Sequence, residues 1–381
     1  MNQSVIIFDT TLRDGLQSPH INPVSHADRV AFGLLLNEMG VDVIEAGFAI
    51  ASKLDFNTIA TLAQKGLDST VCSLARSNEQ DIDAAGKALQ GARRSRIHTF
   101  ISTSPLHMEH KLRMSPEDVL DASIKAVKHA TKYTDDVQFS LEDFTRTEHD
   151  FAKRVIEAVI DAGASTVNLP DTVGYSTPDE MAELIDIAMA VPNADKAVFS
   201  MHCHNDLGLA VANSLSGVLA GARQIECTIN GLGERAGNAA MEELVMAMRT
   251  RNNRYPFTNN IKTEKFMEAS NFIAEKTGLH VQKNKAIVGK NAFAHESGIH
   301  QNGMSKNRNT YEIMTPESVG QHEGLTLGVT SGREGLRKKA ESMGFNLDKD
   351  QLARLYDLFM VEAAHGRVSD RDIGVMIENL V

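Results

Sequence analysis

The chain has 381 residues, of which 42% are hydrophobic and 23% charged, and its formal net charge is -11. These values describe an ordinary globular protein with room for one large domain and a smaller one. The acidic balance argues against a nucleic-acid surface, which needs a basic face, and no stretch offers the roughly 20 apolar residues of a membrane helix.

The start, MNQSVIIFDTTLRDG, lacks the basic region of a signal peptide. Cys72, Cys203 and Cys227 lie in apolar runs without CxxC spacing and read as reduced core residues. A cytoplasmic protein is expected.

Apolar, β-branched runs at 5–9, 41–48, 70–74, 97–102, 137–141, 166–169, 198–202 and 224–229 read as strands buried on both faces. Helix-patterned stretches alternate with them at 26–39, 77–89, 116–133, 151–162, 178–190, 209–220 and 241–250. Eight such units match the usual length of a (β/α)8 barrel. An open, doubly wound sheet is the alternative. The polar residues that look chemical sit at the C-terminal ends of strands 1, 5, 6, 7 and 8, and only a barrel gathers those ends into one mouth. The expected fold is therefore α/β, a TIM barrel over 1–255, followed over 256–381 by a linker and a mainly helical subdomain. Within that subdomain, 332–343 and 349–364 read as helices.

The run VFSMHCHNDLG places His202 and His204 two residues apart at a strand end. Strand alternation turns both imidazoles to one face, where they can bind a divalent metal if oxygen ligands join them. Asp14, in DTTLRDGLQ after strand 1, and Asn238, in INGLGERAGN after strand 8, can supply those oxygens. Mixed ligation suits Mn²⁺, Mg²⁺, Co²⁺ or Zn²⁺ and leaves room for a bidentate substrate. Arg13, beside Asp14, offers a fixed cation for a developing alkoxide. The stretch from Gly231 to Ala236 formally matches a dinucleotide fingerprint. The acidic residue expected about 20 positions on is replaced by the basic MRTRNNRYP, so nicotinamide binding is not expected.

The runs TTLRDGLQ, HCHNDLGLAVANS, NGLGERAGN and AFAHESGIHQNG resemble those of the isopropylmalate/homocitrate synthase family, metal-dependent acyltransferases that condense acetyl-CoA with 2-oxo acids. The likeness is greatest to its 2-isopropylmalate synthases and extends from about Val5 to Gly320. It implies that Asp14, His202 and His204 bind the metal, Mn²⁺ or Mg²⁺ foremost, with Asn238 completing or supporting the shell. It further implies that Arg13 faces the keto oxygen, that Gln17 helps order the site, and that Glu142 and His300 are the acid–base candidates with Tyr311 nearby. Leu74, His98, Ser140, Asn168 and Thr172 would line the side-chain pocket, which holds no basic partner for a second, distal carboxylate.

The reaction implied is condensation of acetyl-CoA with 3-methyl-2-oxobutanoate and water to give 2-isopropylmalate and CoA. The alternatives are the same chemistry on another 2-oxo acid (citramalate, homocitrate, alkyl- or benzylmalate synthesis), a lyase of the same superfamily, or a non-catalytic regulator. The resemblance also implies a homodimer in which the subdomain carries His300 and Tyr311 to the other subunit's site. Since the chain stops at Val381, the leucine-binding regulatory domain of the family is expected to be absent.

Overall fold

In a computed structural model, residues 4–295, 297–321, 327, 331–365 and 368–380 are described. They divide into two compact units, Met1–Val281 and Gln282–Val381.

The first unit is a closed barrel of eight parallel strands in sequential order. The strands are β1 (Ile6–Asp9), β2 (Val43–Phe48), β3 (Thr70–Arg76), β4 (Ser95–Ser102), β5 (Val137–Glu142), β6 (Thr166–Asp171), β7 (Val198–Cys203) and β8 (Gln224–Cys227). Closure comes from β1 pairing with β8, with Phe8 opposite Glu226. A helix follows each strand in turn, α1 (His26–Met39), α2 (Lys53–Ala63), α3 (Glu79–Ala88), α4 (Pro116–Ala130), α5 (His149–Ala162), α6 (Pro178–Met189), α7 (Ala210–Ala220) and α8 (Met241–Thr250), and α9 (Phe266–Thr277) comes next. The strand and helix pattern expected from sequence is present.

Helix starts follow local chemistry. Ser115 and Asp118 form a reciprocal capping box ahead of Pro116, and Thr177 and Glu180 do the same ahead of Pro178. α2 was not among the expected helices. Its sequence, KLDFNTIATLA, carries two threonines and an isoleucine, which weaken a helical pattern. The Ser52 side chain caps it by accepting from the Asp55 N–H.

Alternation along each strand decides what fills the barrel. Leu74, His98 and Gln138 are successive register partners across β3, β4 and β5, and Ser140, Asn168, Ser200 and Gln224 continue the inward set through β8. A register shift on β2 between Glu45 and Phe48 lets both residues serve the interior despite their odd spacing. Much of this interior is polar. Arg96 Nη1 donates to Gln138 Oε1 (3.0 Å) and Gln224 Oε1 (2.7 Å), and Gln224 Nε2 donates to Ser200 Oγ (2.9 Å). The apolar core lies instead outside the strands, where Ile7, Ile44, Val71, Leu141, Val167 and Met201 are buried.

The second unit contains α10 (Gly298–Lys306), α11 (Arg333–Ser342), α12 (Lys349–His365) and α13 (Asp370–Glu378). Leu336, Leu355, Phe359, Ile373 and Ile377 give it a core of its own.

Candidate active site and metal centre

The C-terminal mouth of the barrel holds a cavity of about 250 Å³. Its walls bring together Arg13, Asp14, Gln17, Leu74, His98, Ser140, Glu142, Asn168, Thr172, His202 and His204, residues drawn from strands scattered over 190 positions of sequence. Asn238 lies against Asp14 instead of on the cavity wall, and its Nδ2 donates to Asp14 Oδ1 at 2.8 Å. His300 and Tyr311 belong to the second unit, where their ring centroids are 4.3 Å apart.

The histidine pair is arranged for an ion. His202 Nε2 and His204 Nε2 are 3.2 Å apart, and each lies 3.9 Å from Asp14 Oδ2. Two ligands about 2.1 Å from a shared ion and at right angles to each other would be about 3.0 Å apart. On the far side of each ring, His202 Nδ1 is 2.8 Å from Glu226 Oε2 and His204 Nδ1 is 3.3 Å from the Gly237 carbonyl oxygen. With an Nδ1 proton turned toward each of those oxygens, both Nε2 lone pairs would point at one spot. Two ring nitrogens this close need a proton or a metal cation between them. Asn238 Oδ1 is also buried without a hydrogen-bond partner, as an oxygen reserved for a cation or its water would be. These residues fit a divalent metal.

A glycine makes the fit possible. Gly233 has φ of +155°, and a Cβ there would fall 2.0 Å from Asn238 Nδ2 and 2.9 Å from Asp14 Oδ1. The glycine cluster that mimics a dinucleotide loop therefore closes backbone onto Asp14 and Asn238.

Charge reinforces the arrangement. Burial works against ionising Asp14, but Arg13 and the two histidines hold its carboxyl well below the usual carboxylate range. Burial also opposes a charged His202, yet the Glu226 contact more than offsets it and raises the pKa. Burial and then the neighbouring His202 bring His204 down to about 4, so its ring is neutral near pH 7. Arg13 is fixed by two anions, donating from Nε to Glu45 Oε2 and from Nη1 to Asp14 Oδ2, both at 2.7 Å.

Sequence reasoning missed Glu45 and Glu226. Glu45 organises a relay: His98 Nδ1 lies 2.6 Å from Glu45 Oε1, His98 Nε2 lies 2.6 Å from Ser140 Oγ, and Asn168 Nδ2 donates to Ser140 Oγ at 2.8 Å. The signal was present, since both are acidic residues inside apolar strand runs (VIEAGF and QIEC), where a carboxylate needs a reason. Glu45, Cys72 and His98 also form a second compact group of ligand types. Both nitrogens of His98 are already engaged, however, and burial pushes the Cys72 thiol well above its ordinary pKa. That group serves as a buried polar network. Phe48, Phe100 and Pro170 join Leu74 in giving the cavity an apolar wall.

The family model described as HMGL-like matches residues 4–273. A second, described as homocitrate synthase post-HMGL domain-like, matches residues 287–366. The chain belongs to the HMGL-like family. Within it, the chain is 53% identical over 383 residues to a 2-isopropylmalate synthase of Nitrosomonas europaea, covering 100% of this chain and 75% of that protein. It is 56% identical to the 2-isopropylmalate synthase of Nitrosomonas eutropha over 92% of this chain and 69% of that one. The protein of the same name from Caulobacter vibrioides is 52% identical over 99% and 72%. Membership therefore extends to the 2-isopropylmalate synthase branch of the HMGL-like family. Solved structures agree at the level of fold. The HMG-CoA lyase of Bacillus subtilis superposes with a TM-score of 0.61 at 23% identity over 74% of this chain and 97% of the lyase. That of Pseudomonas aeruginosa gives 0.64 at 20% identity over 76% and 97%. Among the described residues no helix is long and apolar enough to cross a membrane.

Proposed function

We propose that the chain is a cytoplasmic, metal-dependent acyltransferase that condenses acetyl-CoA with 3-methyl-2-oxobutanoate, releasing 2-isopropylmalate and CoA. The observation that carries the reading is the convergence of Asp14, His202 and His204 beside a doubly anchored Arg13 at one end of an apolar-walled cavity. Its support in kinship is the run of 2-isopropylmalate synthases at 52–56% identity.

A Mn²⁺ or Mg²⁺ ion held by Asp14, His202 and His204, with Asn238 in support, would act as a Lewis acid that polarises the keto carbonyl of a 2-oxo acid. Arg13 supplies a second positive centre for the oxygen that gains charge when the keto carbon is attacked. Its guanidinium cannot swing away, because Glu45 and Asp14 hold it from two sides. Glu142 stands across the cavity as the base for the acetyl methyl group, with Ser102 donating to its Oε2 at 2.5 Å. Gln17 orders the mouth, and His98, Ser140, Asn168 and Thr172 form the polar floor around the substrate. Leu74, Phe48, Phe100 and Pro170 receive a branched apolar side chain. Among the described residues, Arg13 is the only Arg or Lys lining the cavity, so a second, distal carboxylate meets no cation on its walls. The same reading makes the working unit a homodimer in which His300 and Tyr311 of one copy complete the acid–base set of the other.

The test is CoA release from acetyl-CoA with a panel of 2-oxo acids, with and without Mn²⁺ or Mg²⁺. The expected result is metal-dependent release with the highest kcat/KM for 3-methyl-2-oxobutanoate. A higher kcat/KM for pyruvate or 2-oxoglutarate would reassign the substrate, and no metal-dependent release with any member would end the proposal.

A further inference from the structure

Glu142 has a partner that the sequence reading did not single out. Lys111 Nζ lies 2.5 Å from Glu142 Oε1 and 3.2 Å from Ser102 Oγ. We propose that Lys111 is a further catalytic residue, a cation that stabilises the enolate of the acetyl thioester as Glu142 takes the methyl proton. The inference rests on the acetyl-CoA reading above.

Placement is the first argument. The Lys111 side chain is 48% exposed and that of Glu142 20%, so the ammonium stands on the solvent side of the carboxylate, where a large thioester must arrive. Lys111 rides on a single π-helical turn, Met108–Leu112, that ends at Arg113 in the left-handed conformation (φ 54°). Such widened turns are poor helix and recur at functional sites. This turn is also tied to the strand end that carries Glu142. Ser104, whose Oγ caps the preceding helical turn, donates to Asp143 Oδ2 at 2.5 Å, and Asp143 itself takes a left-handed φ of 64°. A non-glycine residue held there marks over-determined local structure. Lys111 and Glu142 are thus positioned by one shared bracket.

Charge balance is the second argument. In the resting site Lys111 is neutralised by the Glu142 carboxylate. When the base acts, a C–H bond of the acetyl methyl breaks and its proton passes to Glu142 Oε1. The C–H electron pair forms the new C=C bond, and the carbonyl π pair moves onto the thioester oxygen. Glu142 loses its charge at the moment the thioester oxygen gains one. Lys111, protonated throughout, can turn its N–H from the first to the second, and the enolate carbon then attacks the keto carbon. Three other cations on the strand-end loops are already committed: Arg13 to Asp14 and Glu45, Arg146 to Asp143, and Arg235 to Asp206.

The experiment compares wild type, Lys111→Met and Lys111→Arg as Mn²⁺-loaded full chains, measuring kcat, KM for each substrate and Mn²⁺ affinity. Loss of one preorganised charge donor should lower kcat of Lys111→Met by on the order of 10²–10³-fold. KM for the 2-oxo acid and Mn²⁺ affinity should stay at wild-type values, which also shows the barrel intact. Lys111→Arg should recover at least about tenfold of the loss, since it restores the cation. The role is overturned if Lys111→Met keeps kcat within about threefold of wild type, or if its only effect is a raised KM for acetyl-CoA. It is also overturned if Lys111→Arg is as slow as Lys111→Met. Wild-type CoA release beside a silent substitution would remove Lys111 and leave the acetyl-CoA reading standing. No release by the wild type would overturn both.

Discussion

Replacing Glu226 by Gln should weaken metal binding without removing any ligand. Glu226 is buried beneath the histidine pair and has two oxygens facing two donors. Oε1 accepts from Gln138 Nε2 at 2.5 Å, and Oε2 lies 2.8 Å from His202 Nδ1. A glutamine has only one oxygen. If that oxygen serves Gln138, the new amide N–H₂ confronts His202 Nδ1, which must then give up its proton and accept. The proton moves to Nε2, and the lone pair aimed at the metal is lost. If the oxygen serves His202, two buried amide groups face each other donor to donor, and the imidazole still loses its anionic partner. Changing such an outer partner typically costs 10–100-fold in metal affinity, or about 1.4–2.7 kcal/mol. Titration of Mn²⁺ into metal-stripped wild type and Glu226→Gln by calorimetry reads this directly, with circular dichroism to establish that both are folded. A Kd within about twofold of wild type in a folded variant would refute the argument that Glu226 sets the tautomer of His202.

Burial raises the Asp9 carboxyl to about 7, against an ordinary 3.8, so the folded state binds its proton more tightly than the unfolded chain does. Stability from this group is therefore present at low pH, declines as pH rises from about 4 to about 7, and is flat above; the total is at most about 4 kcal/mol. Asp9→Asn should flatten that slope in urea melts taken between pH 4 and 8, and an unchanged slope would show that Asp9 is ionised in the fold. Leu74→Ala should enlarge the apolar wall and shift kcat/KM toward longer 2-oxo acids, by about 1–3 kcal/mol for each methylene accommodated. An unchanged preference order would place the side-chain pocket elsewhere. If His300 acts across a dimer, Glu142→Gln and His300→Ala should each be inactive alone, yet regain about a quarter of wild-type activity when refolded together, since half the dimers then hold one intact site. No recovery in confirmed mixed dimers would place both groups in one chain.

Much of the fold was legible because its signals are local. Runs such as VIEAGF and VFSMHC are too apolar and β-branched for an exposed helix, and the serine or threonine before Pro116 and Pro178 marks a helix start. The candidate metal site was legible because His202 and His204 share a face by strand alternation alone. The helix Lys53–Ala63 was not, because its threonines blur the apolar period and tertiary packing holds the element instead. Glu45, Glu226 and Lys111 escaped for a different reason. A single acidic residue in a strand, or a lysine on one helical turn, becomes informative only once its partner is known, and those partners lie 32, 24 and 31 positions away.

By itself, the sequence determined that eight strands alternate with helices, that two imidazoles face one way, and that carboxylate and amide oxygens wait at the ends of other strands. These follow from period, propensity and the chemistry of side chains, which neighbours in the chain impose on one another. Only the tertiary structure decided that Asp14 Oδ2 lies 3.9 Å from both imidazole nitrogens and that Glu226 sits behind His202. It also decided that Lys111 faces Glu142. Closure of the barrel makes those meetings, because bringing β8 beside β1 places residues more than 200 positions apart within hydrogen-bond reach.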